Sequence, residues 1–139
     1  MGNMALLLQV KAKLLEAESL FRSVLEDYTK VLGPDHPDTL TLMNNLASLL
    51  KTQGKQSEAE PLYKRALKVR TKVLGPDHPD TLLSMYNYVS ILLLLGKKEA
   101  VSWSRICVQR NEKVFGLDKQ ETKDARDQLR MALSQQKLK

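Results

Sequence analysis

Apolar residues recur at intervals of three and four along most of this chain. Thr39, Leu42, Met43, Leu46, Ala47 and Leu50 fall on one helical face. Ala59, Leu62, Tyr63, Ala66, Leu67, Val73 and Leu74 do the same in the next segment, and Gly54 separates the two. Before them, Leu7, Val10, Leu14, Ala17, Phe21, Val24, Tyr28 and Val31 keep an unbroken spacing of threes and fours, the pattern of a coiled-coil-like seam. After them, Gln120 to Gln136 carries apolar residues at Ala125, Leu129, Ala132 and Leu133 and is polar elsewhere. The spacing predicts an all-helical chain.

The helices come in repeats. Val31-Leu32-Gly33-Pro34-Asp35-His36-Pro37-Asp38-Thr39-Leu40 returns as Val73-Leu74-Gly75-Pro76-Asp77-His78-Pro79-Asp80-Thr81-Leu82, an interval of 42 residues from Gly33 to Gly75. A weaker copy, Val114-Phe115-Gly116-Leu117-Asp118, follows with Gly116 standing 41 residues after Gly75. Glu16-Ala17-Glu18, Glu58-Ala59-Glu60 and Glu99-Ala100-Val101 keep the same period independently. The repeated string has a mechanical reading. Gly33 and Gly75 suit the left-handed conformation that ends a helix, and Pro37 and Pro79 suit the first helical position. Asp38 and Asp80 favour the positive end of the helix dipole. Ser57-Glu58-Ala59-Glu60 reads as a capping box, with Pro61 tolerated in the first turn. Each unit is therefore helix A, a glycine turn, helix B and a stiff loop.

Two places depart from the period. In the third unit Ser104 and Cys107 take the places of Tyr63 and Ala66, and the polar final segment suits a capping helix. At the start, Met4 to Lys11 corresponds to Leu46 to Gln53, the second half of a helix A, so the pattern starts in mid-repeat. Ala12 stands where Gly54 would, and Leu15 where Ser57 would. Either the chain still turns at Ala12, or a single helix runs from about Ala5 to Leu32; the missing turn chemistry favours the single helix. Such a helix projects Leu7, Val10 and Leu14 past the end of the array, an edge that a second copy could cover.

Leu46-Ala47-x-x-Leu50, Gly54, Ala59-x-x-x-Tyr63 and Ala66 resemble the tetratricopeptide repeat, and the 42-residue unit with its Leu-Gly-Pro-Asp-His-Pro-Asp-Thr-Leu string is similar to the repeats of kinesin light chains. The resemblance implies an all-α fold, an α-solenoid of antiparallel helix pairs (a tetratricopeptide-like superhelix) with a C-terminal capping helix. One domain over 1–139 is expected, with a partial first repeat at 1–32, repeats at 37–74 and 79–115, and a terminal helix at 119–136.

It also implies a peptide-binding groove lined by A helices. Carried over by position, the groove residues are Thr41, Asn44, Asn45, Ser48, Lys51 and Thr52, then Leu83, Tyr86, Asn87, Ser90, Leu93 and Leu94, then Asp124, Asp127, Gln128 and Met131. Asn45 and Asn87 share one repeat position, where an amide can both donate to and accept from an extended backbone. The apolar members of the set could equally be core. Asn44, Asp124 and Gln128 stand where a carboxylate clamp needs basic residues, so no clamp is expected.

Composition narrows the function without naming it. With 22 Lys+Arg against 16 Asp+Glu the net charge is +6, which favours an acidic partner. The excess gathers on the B helices at Lys64, Arg65, Lys68, Arg70 and Lys72, then Arg105, Arg110 and Lys113. Such a run is most simply a solvated face, and scarce aromatics argue against nucleic acid. His36 and His78, each two residues before an aspartate, read as loop residues repeated with their unit rather than metal ligands. There is no phosphate loop, nucleophile elbow or Cys–His pair, so neither an enzyme nor a cofactor is expected. Cys107 is the only cysteine, and the start of the chain lacks a signal-peptide layout, which points to the cytoplasm. The longest apolar run, Val89 to Leu95, is too short to insert in a membrane. The expected role is a non-catalytic adaptor for a peptide or partner protein; the alternative is a module that homodimerises through its N-terminal edge.

Overall fold

The computed structural model describes residues 2–138, with side chains from Met4 onward. Six α-helices follow one another: α1 (Gly2–Leu32), α2 (Pro37–Thr52), α3 (Gln56–Leu74), α4 (Pro79–Leu94), α5 (Glu99–Phe115) and α6 (Gln120–Lys137). No strand occurs among the described residues. The chain divides into two compact units, Met1–Leu62 and Tyr63–Lys139.

The helix ends follow from local chemistry. Each of α2 and α4 begins with proline at its first position, where an N–H would have no helical partner. Each is capped by the preceding histidine: His36 Nδ1 accepts from the Asp38 N–H at 3.1 Å, and His78 Nδ1 from the Asp80 N–H at 3.0 Å. At the other end, the Lys55 N–H reaches the Leu50 carbonyl at 2.8 Å and the Gly54 N–H the Lys51 carbonyl at 3.0 Å. That pair of bonds is a Schellman motif, and it turns on Gly54 at φ +82°. Leu92, Leu93, Gly96 and Lys97 repeat it after α4.

The start of α3 differs from the sequence expectation. The Lys55 carbonyl accepts from both Glu58 and Ala59, so the helix begins at Gln56 and Ser57 lies inside the first turn instead of capping it. Pro61 accordingly sits past the first turn, where it removes the N–H that would have bonded the Ser57 carbonyl.

In the first unit, α1 packs along α2. Gln53 donates to the Leu14 carbonyl at 3.0 Å, Lys55 pairs with Glu18 at 2.9 Å, and Arg22 reaches both Glu18 at 2.9 Å and Glu58 at 3.5 Å. Lys55, and after it Arg22, hold the Glu18 carboxyl below its usual range. The Thr39 hydroxyl closes the loop before α2 by donating to the Gly33 carbonyl at 2.8 Å. Leu40, Met43, Leu46, Ala47 and Leu50 of α2 are buried. Each large aliphatic among them contributes roughly 1.5–3 kcal/mol.

α1 itself runs without interruption through Ala12, and none of its described side chains is fully buried. A turn there would need a positive φ, and the alanine has no reason to leave the helix.

In the second unit α4, α5 and α6 pack on one another, with Tyr63, Ala66, Leu67, Met85, Tyr88, Val89, Leu92, Cys107, Ala125 and Ala132 in the core. Ser104 and Cys107, smaller or more polar than the residues they replace in the repeat, are completely buried. Their polar atoms are served locally, Ser104 by the Ala100 carbonyl and Cys107 Sγ by the Asn111 amide at 3.4 Å.

Candidate protein-binding site

The predicted groove residues separate by exposure. On α2, in the first unit, Thr41, Asn45, Ser48 and Thr52 are exposed and Lys51 is half-buried. Asn44 is not available: it is only 9% exposed, and its Oδ1 has no hydrogen-bond partner among the described residues. Thr41 and Thr52 turn their hydroxyls back onto the Pro37 and Ser48 carbonyls of their own helix.

On α4, in the second unit, Leu83 and Leu94 are 54% and 55% exposed, while Tyr86, Asn87 and Ser90 are half-buried. Leu93 is buried and belongs to the core, as does Gln128 on α6. Asp127 and Met131 are exposed and Asp124 is half-buried.

Within the second unit, α4 and α6 form a built surface. Gln128 Nε2 donates to the Tyr86 carbonyl and to Ser90 Oγ, each at 2.9 Å, and Gln135 Nε2 donates to the Leu93 carbonyl at 3.0 Å. Sequence reasoning missed this role for the glutamines. Beside them lies a cleft of about 150 Å³ lined by Pro79, Leu82, Leu83, Tyr86, Asn111, Phe115, Glu121 and Asp124. Its walls are apolar with two carboxylates at the side. Asp124 is steadied by the Gln120 amide at 2.8 Å, and Asp127 pairs with Arg130 at 2.8 Å. Burial, followed by the negative charge of Asp124, pushes the Tyr86 hydroxyl above its ordinary value. The cleft therefore joins a greasy seat to a negative rim.

The N-terminal edge has a cleft of its own. Leu7 and Val10 are exposed and Leu14 is half-buried; with Lys11, Leu15, Thr52, Gln53 and Lys55 they line a hollow of about 350 Å³ in the first unit. Met4, Leu6, Leu8 and Leu20 add further exposed apolar surface to the same helix.

The basic B-helix face is smaller than the sequence suggested. Arg70 is buried and donates to Ser84 Oγ at 2.8 Å. Arg110 and Lys113 are both held by Asp77, at 3.2 and 2.8 Å, and draw its carboxyl below the usual range. The two histidines are helix caps, and no group of three His, Cys, Asp or Glu among the described residues is placed to hold a metal. The signal was legible in principle, since the residue before a proline at the first helical position is the cap.

Residues 1–72 and 58–102 match the family pattern described as tetratricopeptide repeat. The chain belongs to the tetratricopeptide repeat family. Among solved structures, this tetratricopeptide chain is similar to a Podosopora anserina protein described as a kinesin light chain with nearly identical TPR-like repeats, at 23% identity and a TM-score of 0.83 over 97% of this chain. A single-substitution variant of that protein gives 22% and 0.81 over 94%. BtubC (BKLC) from P. vanneervenii gives 19% and 0.68 over 94%. The chain spans 64%, 62% and 59% of these three, and at such identities the likeness speaks to fold alone. It is an all-α array of tetratricopeptide-like helix pairs. No curated protein matches it.

Proposed function

We propose that the chain is a non-catalytic docking module that seats a segment of a partner protein on the exposed faces of its A helices, above all on α4 and α6. Tetratricopeptide repeats are protein–protein interaction modules in general, and no helix among the described residues is long and apolar enough to cross a membrane. The observation that carries the finer reading is the α4–α6 cleft. Leu83, more than half exposed, and half-buried Tyr86 offer an apolar seat beside Glu121 and Asp124. Asn87 on the same helix presents an amide able to pair with a guest backbone. The guest is read as one apolar anchor side chain with basic neighbours.

A peptide library displayed on phage and selected on the folded chain tests this. Selected peptides, titrated into isotope-labelled protein, should shift the amide resonances of Leu83, Tyr86, Asn87 and Ser90. Leu83→Asp should abolish the shifts and leave the fold intact. Shifts confined to other surfaces would refute the reading.

A second reading has its own observation, the exposed apolar face of α1 with its 350 Å³ hollow. A second copy is a fitting occupant because Met4 to Lys11 carries the pattern of a helix A and runs straight into its own helix B instead of folding back on it. Met4, Leu7, Leu8 and Leu15, exposed by 55% to 74%, share one side of α1 and offer a second copy a continuous apolar stripe. Sedimentation equilibrium should find a dimer that Leu7→Glu with Val10→Glu dissociates. A monomer at high concentration removes this reading and leaves the α4–α6 cleft untouched.

A further inference from the structure

Lys64 and Lys68 stand one turn apart on α3 in the second unit, exposed and without an ion-pair partner among the described residues. Like charges at that spacing repel by a few tenths of a kcal/mol, so a negative group placed between them is favoured. They rim a cleft of about 300 Å³ whose other walls are Leu67, Thr71, Tyr88 and Trp103. Leu67 and Tyr88 are buried at its base. Trp103 is half-buried and meets the Tyr88 ring edge-on, with centroids 5.5 Å apart and planes at 81°. This hollow shares no residue with the α4–α6 cleft.

We infer that the Lys64–Lys68 cleft is a second protein-docking site, and that its occupant is an acidic segment presenting one bulky apolar side chain. The volume suits the anchor, since cavities of about 150 Å³ already hold a benzene-sized group, and this one is larger. Carboxylates flanking that anchor meet two exposed ammoniums that hold no ion pair among the described residues, which is charge complementarity at the rim of an apolar seat. The net charge of +6 draws such a partner in from a distance. A strand of RNA fits less well. It needs stacking faces in series and a row of phosphate contacts, whereas one indole packed by its edge is present here, Arg70 is buried, and Arg110 and Lys113 are committed to Asp77. An anionic membrane would also meet Lys72 and Arg105, exposed on the same helices, but a flat lipid surface offers no single side chain to fill the recessed apolar seat.

Trp103 is the only tryptophan, so its fluorescence reports directly on the cleft. The probe is a short acetylated peptide amide with one phenylalanine between paired glutamates; the same peptide with glutamines or lysines serves as control. The glutamate peptide should change the emission saturably and bind about tenfold more tightly than the glutamine peptide. Lys64→Glu with Lys68→Glu should reverse the order in favour of the lysine peptide, with circular dichroism unchanged. Leu83→Asp should leave the titration as it is. Equal binding of the glutamate and glutamine peptides overturns the inference, as does an undiminished glutamate titration in the charge-reversed variant. Absence of a saturable change, or a response only to phosphatidylserine vesicles or to single-stranded RNA, overturns it too. None of these outcomes touches the α4–α6 reading, which is scored by its own resonances.

Discussion

The side-chain amide of Gln128 on α6 donates to the backbone carbonyl of Tyr86 on α4, 42 residues earlier, at 2.9 Å. Two turns further on, Gln135 makes the same contact to Leu93 at the same sequence separation. Equal separations at both points mean that the two helices run in the same direction, in register. Each carbonyl already serves its own helix, so the glutamine uses its second lone pair. Removing a buried donor of this kind costs about 1–3 kcal/mol, so Gln128→Ala should lower the urea midpoint accordingly. Gln128→Glu should cost more, because a carboxylate would then face a carbonyl in a site only 4% exposed. Equal stability of the Glu variant and the parent would contradict this account.

His36 and His78 owe their recurrence to capping. The Nδ1 lone pair accepts the second helical N–H, which places the proton of the neutral ring on Nε2. Replacing either with alanine should cost about 0.5–2 kcal/mol, and asparagine should recover most of it. Chemical denaturation of the four single variants measures both. A histidine-to-asparagine loss as large as the alanine loss would show that the ring does something else.

Helices, turns and repeat period were legible because each is written in local residue types: glycine at the turns, proline at the helix starts, and apolar threes and fours between. The site was less so. Thr41, Asn45 and Ser48 lie on the surface where position placed them, but Asn44, Leu93 and Gln128 are buried. One repeat's spacing cannot say how much of an A helix its neighbour covers. Arg70 was read as part of a solvated face and is instead buried against Ser84. Its long side chain bridges two helices, a tertiary fact with no local signature. The clefts beside Tyr86 and Trp103 are likewise made by residues far apart in sequence.

Cys107 should behave as a buried apolar group. Burial pushes its thiol from the ordinary 9.0 up to about 11, against a weaker opposing bond from Asn111. The folded form therefore holds its proton more tightly than the unfolded chain. That preference stabilises fully below pH 9 and fades as the pH rises toward 11. A disulfide reagent at pH 8 should react with Cys107 only after denaturation. Between pH 9 and 11 the parent should lose stability more steeply than Cys107→Ala, by up to about 2–3 kcal/mol. Rapid labelling of the folded chain would place the thiol at the surface.

Gly54 and Ala12 occupy the same repeat position and do opposite things, which makes them a controlled pair. Gly54 holds φ +82°, and a Cβ added there would meet nothing within 4 Å. The cost of Gly54→Ala is therefore purely conformational, about 1–2 kcal/mol for an L-residue in the left-handed region, with no steric part. Ala12 lies within a continuous α1 among exposed neighbours. Ala12→Gly should cost about 1 kcal/mol in helix propensity and should show as faster amide exchange from Leu7 to Leu15, leaving α2 protected. If position in the repeat decided the turn, Ala12→Gly would instead fold the first residues of α1 back, and Leu7 and Val10 would become protected. If residue type and packing decide it together, glycine alone frays the helix without turning it. Hydrogen exchange across α1 separates the two, and fraying is the expected result, because Leu15 still stands where the repeat has Ser57.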